Sequence, residues 1–139
     1  MKTAITTRFK FGEWEKGKFV QCGVNIEQRD DFSFKISQPE FLEQVSEIFV
    51  PKQRSKDLEA LASPEEQKQM RSVLGCSAWY ARQLAMELSA PTGLLLSKVP
   101  KARVSDLLEA NKLLKKAKAR QGQCMIIHTL DKDDLMLTT

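Results

Sequence analysis

The longest helical pattern in the chain is SPEEQKQMRSVLGCSAWYARQLAMELSAP, residues 63–91. Its apolar and small residues recur at intervals of three and four, the period of one helix face. Ser63 and Glu66 have the spacing of a capping box, and a proline stands at the first helical position. We therefore predict a helix that begins after Ser63 and ends at Pro91. Gly75 costs about 1 kcal/mol relative to alanine in a helix, so we expect a packing reason for it.

Upstream, alternating apolar residues predict β-structure. Residues 18–36 contain two alternating runs separated by a polar, turn-like gap, which predicts a β-hairpin. The first run places these residues on one face: Val20, Cys22, Val24 and Ile26. Residues 8–11 alternate as well and suggest a third strand. The capping-box spacing over residues 37–40 then predicts a helix that ends at Pro51, and the charged residues 51–62 read as a surface linker.

Downstream of the long helix lie a short apolar segment, residues 94–99, and a helix that we expect Ser105 to cap. One side of this helix is apolar. The opposite side carries Lys112, Lys115, Lys116 and Arg120. Residues 123–130 predict a strand, an acidic turn follows, and residues 135–139 could begin another strand.

These elements predict an α+β protein with an N-terminal antiparallel hairpin, a mainly helical middle and C-terminal strands. The corresponding regions are residues 1–36, 37–120 and 121–139. The chain has 139 residues, 42% of them hydrophobic and 29% charged, which is typical of one soluble globular unit. No apolar run approaches the roughly 20 residues of a membrane helix, and no secretory signal is recognisable. We therefore expect an intracellular protein, cytoplasmic or nuclear, with no membrane partner.

Several kinds of chemistry find no support in the sequence. Three dispersed cysteines and one histidine, His128, argue against a disulfide framework and a zinc cluster. A nucleophile elbow and glycine-rich phosphate loops are missing from the sequence, so we expect no small-molecule cofactor. The carboxylates of Asp131, Asp133 and Asp134 could ligate Mg²⁺, but a solvated turn explains them better.

Positive charge is concentrated in one part of the chain. The net charge is +4, and residues 98–120 alone hold eight basic residues against two acidic ones. A row of lysines and arginines on a helix favours a phosphate backbone through counterion release. The same pattern also occurs on helix faces that are merely solvated.

Four local motifs occur in one order along the chain. They are Gly23-Val24-Asn25-Ile26, Ile36-Ser37-Gln38 with Phe41-Leu42, Arg71-Ser72-Val73-Leu74-Gly75 with Trp79, and a lysine-rich stretch from Ala110 to Lys118. Over residues 9–130 this order resembles the distal half of the reverse transcriptase of copia-type long-terminal-repeat retrotransposons. The resemblance implies a palm-edge hairpin that holds the primer end, a helical thumb or connection region, and the first strands of a connection or ribonuclease H segment.

The resemblance implies that the chain positions an RNA/DNA template–primer duplex together with the other reverse transcriptase and ribonuclease H domains of a polyprotein. The residues expected at the nucleic acid are Gly23, Lys112, Lys115, Lys116, Lys118 and Arg120. The complete parent enzyme would use Mg²⁺. The family's catalytic carboxylates lie outside the matching stretch, so we expect no polymerase or ribonuclease H activity from this chain alone. Its Thr-Arg-Pro-Asp motif would fall on residues 84–87, where the Arg and Pro are missing.

Two other interpretations remain open. In one, the chain is a small helical module whose helix from Met70 to Leu88 packs against another protein, and its basic face is only solvated. In the other, it is a retroelement relic that has no function and does not fold alone. Charge reversal on the basic helix distinguishes the first alternative from nucleic-acid binding, and a cooperative thermal transition would exclude the second.

Overall fold

A computed structural model describes residues 15–129 of the chain. They form an antiparallel four-stranded sheet and three α-helices, which confirms the predicted α+β class. The strands are β1 (Lys18–Gln21), β2 (Val24–Gln28), β3 (Phe34–Ser37) and β4 (Cys124–Ile127), in that spatial order. The strands predicted at residues 8–11 and 135–139 and the acidic turn between residues 131 and 134 lie outside the described residues.

The first three strands form a meander rather than a single hairpin. Cys22 and Gly23 have φ angles of 52° and 76°, so they form a tight two-residue turn that pairs Gln21 with Val24. The prediction of one continuous face from Val20 to Ile26 is therefore wrong, because the turn breaks the strand. The β2–β3 hairpin is present, and its turn is held by Ser33, whose backbone N–H and hydroxyl both donate to Asp31 Oδ1 at 3.0 and 2.6 Å.

The helix predicted between Ser37 and Pro51 does not form. Ser37 belongs to β3, residues 39–44 make turns, and residues 45–50 have no regular secondary structure. The apolar residues of this stretch are nevertheless core residues, since Leu42 and Ile48 are buried. The side chain of Asn111 on another element holds this irregular backbone: it accepts from the Ile48 N–H at 2.8 Å and donates to the Ile48 carbonyl at 2.9 Å.

Helix α1 spans Pro64–Leu84 and has the predicted capping box. The Glu66 N–H donates to Ser63 Oγ at 3.2 Å, and the Ser63 N–H donates to Glu66 Oε2 at 2.7 Å. The helix ends at Leu84 and not at Pro91. Proline 91 lies instead in the first turn of the next helix, where its missing N–H breaks no hydrogen bond.

Helix α2 spans Ser89–Lys98, so the apolar segment predicted over residues 94–99 is mostly helical. Helix α3 spans Val104–Ala119 and begins one residue before its expected cap. The Asp106 side chain helps to cap the N-terminus of α3, because it accepts a hydrogen bond from the Arg103 N–H at 3.0 Å. None of the helices within residues 15–129 is both long and apolar enough to cross a bilayer.

The core lies where α1, α2 and α3 meet, and the 38–50 segment covers part of it. Its largest fully buried apolar side chains are Tyr80, Leu42, Met70, Leu74, Leu107 and Leu114. The strand predicted within residues 123–130 is present as β4, which pairs with β3 from Ser37 opposite Cys124 to Phe34 opposite Ile127. The predicted linker 51–62 contains a single 3₁₀ turn, Arg54–Lys56.

Candidate nucleic-acid interface

The basic residues predicted on α3 do lie on its outer side. Lys112, Lys115 and Lys116 are exposed, opposite the buried leucines and alanines of the same helix. Lys118 is half-buried, and Arg120 caps the helix with a half-exposed side chain. The sequence pattern therefore placed the exposed side of α3 correctly.

Three of these five cations are paired with carboxylates. Lys112 Nζ lies 3.3 Å from Glu109 Oε2, and Lys115 Nζ lies 3.3 Å from Glu47 Oε2. Arg120 is paired with Glu87. Within residues 15–129, Lys116 and Lys118 have no carboxylate partner within 4 Å. The face therefore presents fewer free positive charges than its sequence suggests.

The ion pairs on α3 are exposed, and exposed pairs of this kind contribute only about 0–1 kcal/mol. The Lys112 and Lys115 side chains retain 70% and 65% of their accessible surface. Exchanging a carboxylate for a phosphate at these positions would cost little. The face can bind a polyanion, but it is not preorganised to do so.

Gly23, the remaining predicted site residue, lies in the tight β1–β2 turn. Its φ of 76° belongs to the left-handed region, which glycine adopts without strain. A Cβ at this position would lie 3.4 Å from the Phe41 ring. The turn segment that contains Phe41 also reaches the end of α3, because the Gln121 amide donates to the Pro39 carbonyl.

A second basic surface lies on α1, and the sequence indicated three of its residues, Arg71, Gly75 and Trp79, only as part of a family motif. The exposed side of this helix carries Lys68, Arg71, Gly75, Trp79 and Arg82, which we call the α1 face. Positions four apart share one side of a helix, so Arg71, Gly75 and Trp79 stand in a row. The stretch from 68 to 82 contains no acidic residue, and its three cations have no carboxylate within 4 Å in the described part of the chain.

The expected packing reason for Gly75 is absent from the described structure. Gly75 is exposed, and a Cβ built on it would meet no atom within 4 Å. Trp79, one turn further, keeps 37% of its surface exposed. The apolar stripe predicted the buried side of α1 correctly, since Met70, Val73 and Leu74 are buried. The spacing of arginine, glycine and tryptophan at intervals of four on the opposite side was the available signal for the α1 face.

Trp79 connects the α1 face to the sheet. It lines a cavity of about 270 Å³ together with Cys22 of the tight turn and the apolar residues Val24, Ile26 and Ile36. The turn that contains Gly23 therefore lies beside the α1 face, whereas the exposed lysines of α3 lie on another helix. The structure groups the predicted site residue Gly23 with a surface whose residues were not among those expected at the nucleic acid.

Burial, hydrogen bonds and neighbouring cations shift the pKa of three ionisable side chains in the helical region: Glu66, Tyr80 and Asp106. Burial opposes ionisation of Glu66 and Asp106, but hydrogen bonds and nearby cations outweigh it, so the pKa of each carboxyl is lowered. Burial raises the pKa of Tyr80, whose hydroxyl donates to the Arg120 carbonyl at 2.6 Å. Within residues 15–129 no group of three or more His, Cys, Asp or Glu side chains is arranged to hold a metal ion.

Comparison of the chain with protein-family models, with curated proteins and with solved structures finds no match. The resemblance to the copia-type reverse transcriptase therefore stays a prediction based on the four local motifs.

Proposed function

We propose that this chain is a distal part of a copia-type retrotransposon reverse transcriptase and that it positions an RNA/DNA template–primer duplex. In this proposal the chain supplies a sequence-independent contact surface, and other domains of the polyprotein supply the catalytic carboxylates and their Mg²⁺. Contacts to phosphate and sugar fix the register of a duplex without reading its bases.

The α1 face is the observation that carries the proposal. Arg71 and Arg82 can each donate to phosphate oxygens, and Lys68 adds a point charge at the start of the same row. Gly75 leaves the helix surface open, so a sugar–phosphate backbone can approach closely between the cations. Trp79 offers an exposed ring for contact with a sugar or base. These cations need not give up an existing ion pair to bind phosphate.

The α3 face contributes a weaker, exchangeable surface. Lys116 is already free of carboxylates within the described residues, and Lys112 and Lys115 can exchange an exposed pair for a phosphate. Binding on both helices would place a duplex across more than one side of the helical region. We expect the α1 face to dominate the salt dependence.

Fluorescence anisotropy with a labelled RNA/DNA hybrid tests the proposal. Three free cations predict a slope of about −3 for log affinity against log salt concentration. The double variant Arg71→Glu/Arg82→Glu should flatten the slope to about −1 and weaken binding by at least about tenfold at low salt. The matched control, Lys52→Glu/Lys56→Glu, makes the same charge change at exposed residues of the 51–62 segment and should bind more tightly than the α1 variant.

Two results would contradict the proposal. One is the absence of hybrid binding at low salt by a chain that melts cooperatively. The other is equal loss of affinity in the α1 variant and the control, which would mean that only net charge matters. A chain without a cooperative melt would favour the interpretation of a non-functional relic.

Binding of a protein partner is the second candidate, and one groove favours it. The groove lies between α2 and α3, has a volume of about 590 Å³, and is lined by Leu88, Pro91, Leu94, Leu95 and Leu113. The Leu94 side chain is 68% exposed. Lys116 and Arg120 also line this groove. Under this interpretation Leu94→Asp should abolish partner binding, whereas Arg71→Glu/Arg82→Glu on α1, away from the groove, should leave it unchanged.

A further inference from the structure

Strand β4 is an edge of the sheet in the described part of the chain. Its one neighbour there is β3, so the backbone groups along its other side have no strand to pair with among residues 15–129. All four residues of β4 are exposed, and Met125, Ile126 and Ile127 keep 40%, 36% and 49% of their surface. An edge with unpaired N–H and C=O groups is a template for another strand.

The two edges of the sheet differ in how they are protected. The opposite edge, β1, carries the exposed Lys18 and follows the exposed Lys16, and lysines at an edge discourage pairing with another chain. Strand β4 has no such protection, since residues 121–130 contain no Asp, Glu, Lys or Arg. This contrast favours β4 over β1 as the edge that accepts a strand.

The side chains of β4 fit a second copy of the same strand. Two antiparallel copies related by a two-fold axis perpendicular to the sheet present the same patch to each other and keep each sheet face continuous. With Ile126 opposite Ile126 of the second copy, Met125 lies opposite Ile127, so apolar residues meet on both faces. A strand with charged side chains would find no ion-pair partner on β4.

The apolar surface of β4 continues onto β3. Ile127 pairs with Phe34 and Met125 pairs with Ile36, and paired residues share a face. Phe34 is 37% exposed, so a second copy that covers Met125 and Ile127 would extend an apolar strip that is already present on this face. Apolar cross-strand pairs of this kind contribute about 0.2–1 kcal/mol each.

We propose that β4 is a self-association surface, through which two copies of this chain pair antiparallel and join their four-stranded sheets into one. The strand has only four residues, so the buried area is below the roughly 1,200 Å² of a standard interface, and the dimer is weak and reversible. This inference involves no nucleic acid and is independent of the proposed function.

Sedimentation equilibrium of the full 139-residue chain between about 10 µM and about 1 mM tests the proposal, since this range covers weak dimers. The buffer contains a reductant, because Cys22 and Cys124 are exposed thiols that can cross-link copies. The average mass should rise with concentration from that of one chain towards that of two.

Ile126→Glu should weaken the dimer by at least about tenfold, because two carboxylates would face each other across the two-fold axis. Within one chain the new carboxylate lies opposite Lys35, so the pairing of β3 with β4 is retained. Ile127→Glu, at a second exposed position of β4, should also weaken the dimer and guards against a folding defect at residue 126. The matched control Val20→Glu makes the same charge change at an exposed residue of β1 and should leave the dimer unchanged.

Three results would overturn the proposal. The first is a chain that stays monomeric up to about 1 mM, a concentration at which even a weak dimer forms. The second is a dimer that persists in both β4 variants, which would place the contact elsewhere. The third is an equal loss of dimer in Val20→Glu, which would mean that β1 or net charge governs the association.

Discussion

Replacing Asn111 by leucine should destabilise the protein strongly, although the two side chains have similar size. Asn111 lies on the buried side of α3 and makes two hydrogen bonds, at 2.8 and 2.9 Å, to the backbone of Ile48, which is 63 residues away in the sequence. Ile48 is 3% exposed, so water cannot easily replace the lost partner. Leucine would leave one N–H and one C=O buried without a hydrogen bond.

The expected fall in the free energy of unfolding follows from the two Ile48 backbone groups that lose their hydrogen-bond partner. Each buried, unpaired group costs about 1–3 kcal/mol, so the free energy of unfolding should fall by about 2–6 kcal/mol. The stability of a typical domain is only about 5–15 kcal/mol, so the variant should be close to unfolding at 37 °C. Glu109→Leu, an exposed substitution on the same helix, should change stability by less than about 1 kcal/mol.

Equilibrium unfolding in urea, followed by far-ultraviolet circular dichroism, measures both variants. Hydrogen exchange of the Ile48 amide gives an independent local measurement, and this amide should lose its protection in Asn111→Leu even where the helices remain folded. A loss of less than about 1 kcal/mol, with the Ile48 amide still protected, would refute the reasoning. It would show that the irregular 45–50 segment is held by something other than Asn111.

Two further predictions concern α1. Gly75→Ala should raise the free energy of unfolding by about 1 kcal/mol, because alanine is the better helix former and its Cβ meets no atom within 4 Å. The same variant should weaken hybrid binding, since the added methyl lies where the backbone would approach; unchanged affinity in anisotropy would remove Gly75 from the interface. The lowered pKa of Glu66 predicts stability that is complete above the carboxyl's ordinary pKa of 4.5 and is lost as the pH falls through the lower folded value. Urea midpoints between pH 6 and pH 3 should therefore fall less in Glu66→Gln than in the unmodified chain, and parallel curves would contradict this.

Sequence patterns predicted the elements whose signals are local. The capping box of Ser63 and Glu66 and the helical spacing after it lie within a few residues of each other, and α1 begins where they indicate. The same type of signal after Ser37 failed, because Ser37 is needed in β3, where it pairs with both Asn25 and Cys124. Pairing with distant strands outweighs a local preference for helix when both cannot be satisfied.

The wrong prediction of one continuous strand face from Val20 to Ile26 has a different cause. A two-residue turn does not interrupt an alternating apolar pattern, so the run from Val20 to Ile26 looks continuous in sequence. In the structure Phe19 pairs with Ile26 and Val20 pairs with Asn25, and paired residues share a face. Val20 therefore lies on the opposite face from Val24 and Ile26, where it is 64% exposed. The Cys-Gly pair was the only local indication of the turn.

The candidate interface was predicted only in part because free charge is a tertiary property. In sequence, α3 holds the densest run of lysines, but the fold brings Glu47 from the irregular 45–50 segment and Glu87 from the α1–α2 connection onto its exposed side. The α1 face has fewer cations, yet no described carboxylate reaches them. A phosphate backbone responds to the cations that remain free after folding, since each releases a counterion when it is neutralised. For this reason we propose that α1, where a row of unpaired cations, an open glycine and an exposed tryptophan coincide, would make the main phosphate contact, and that α3 would make an exchangeable one.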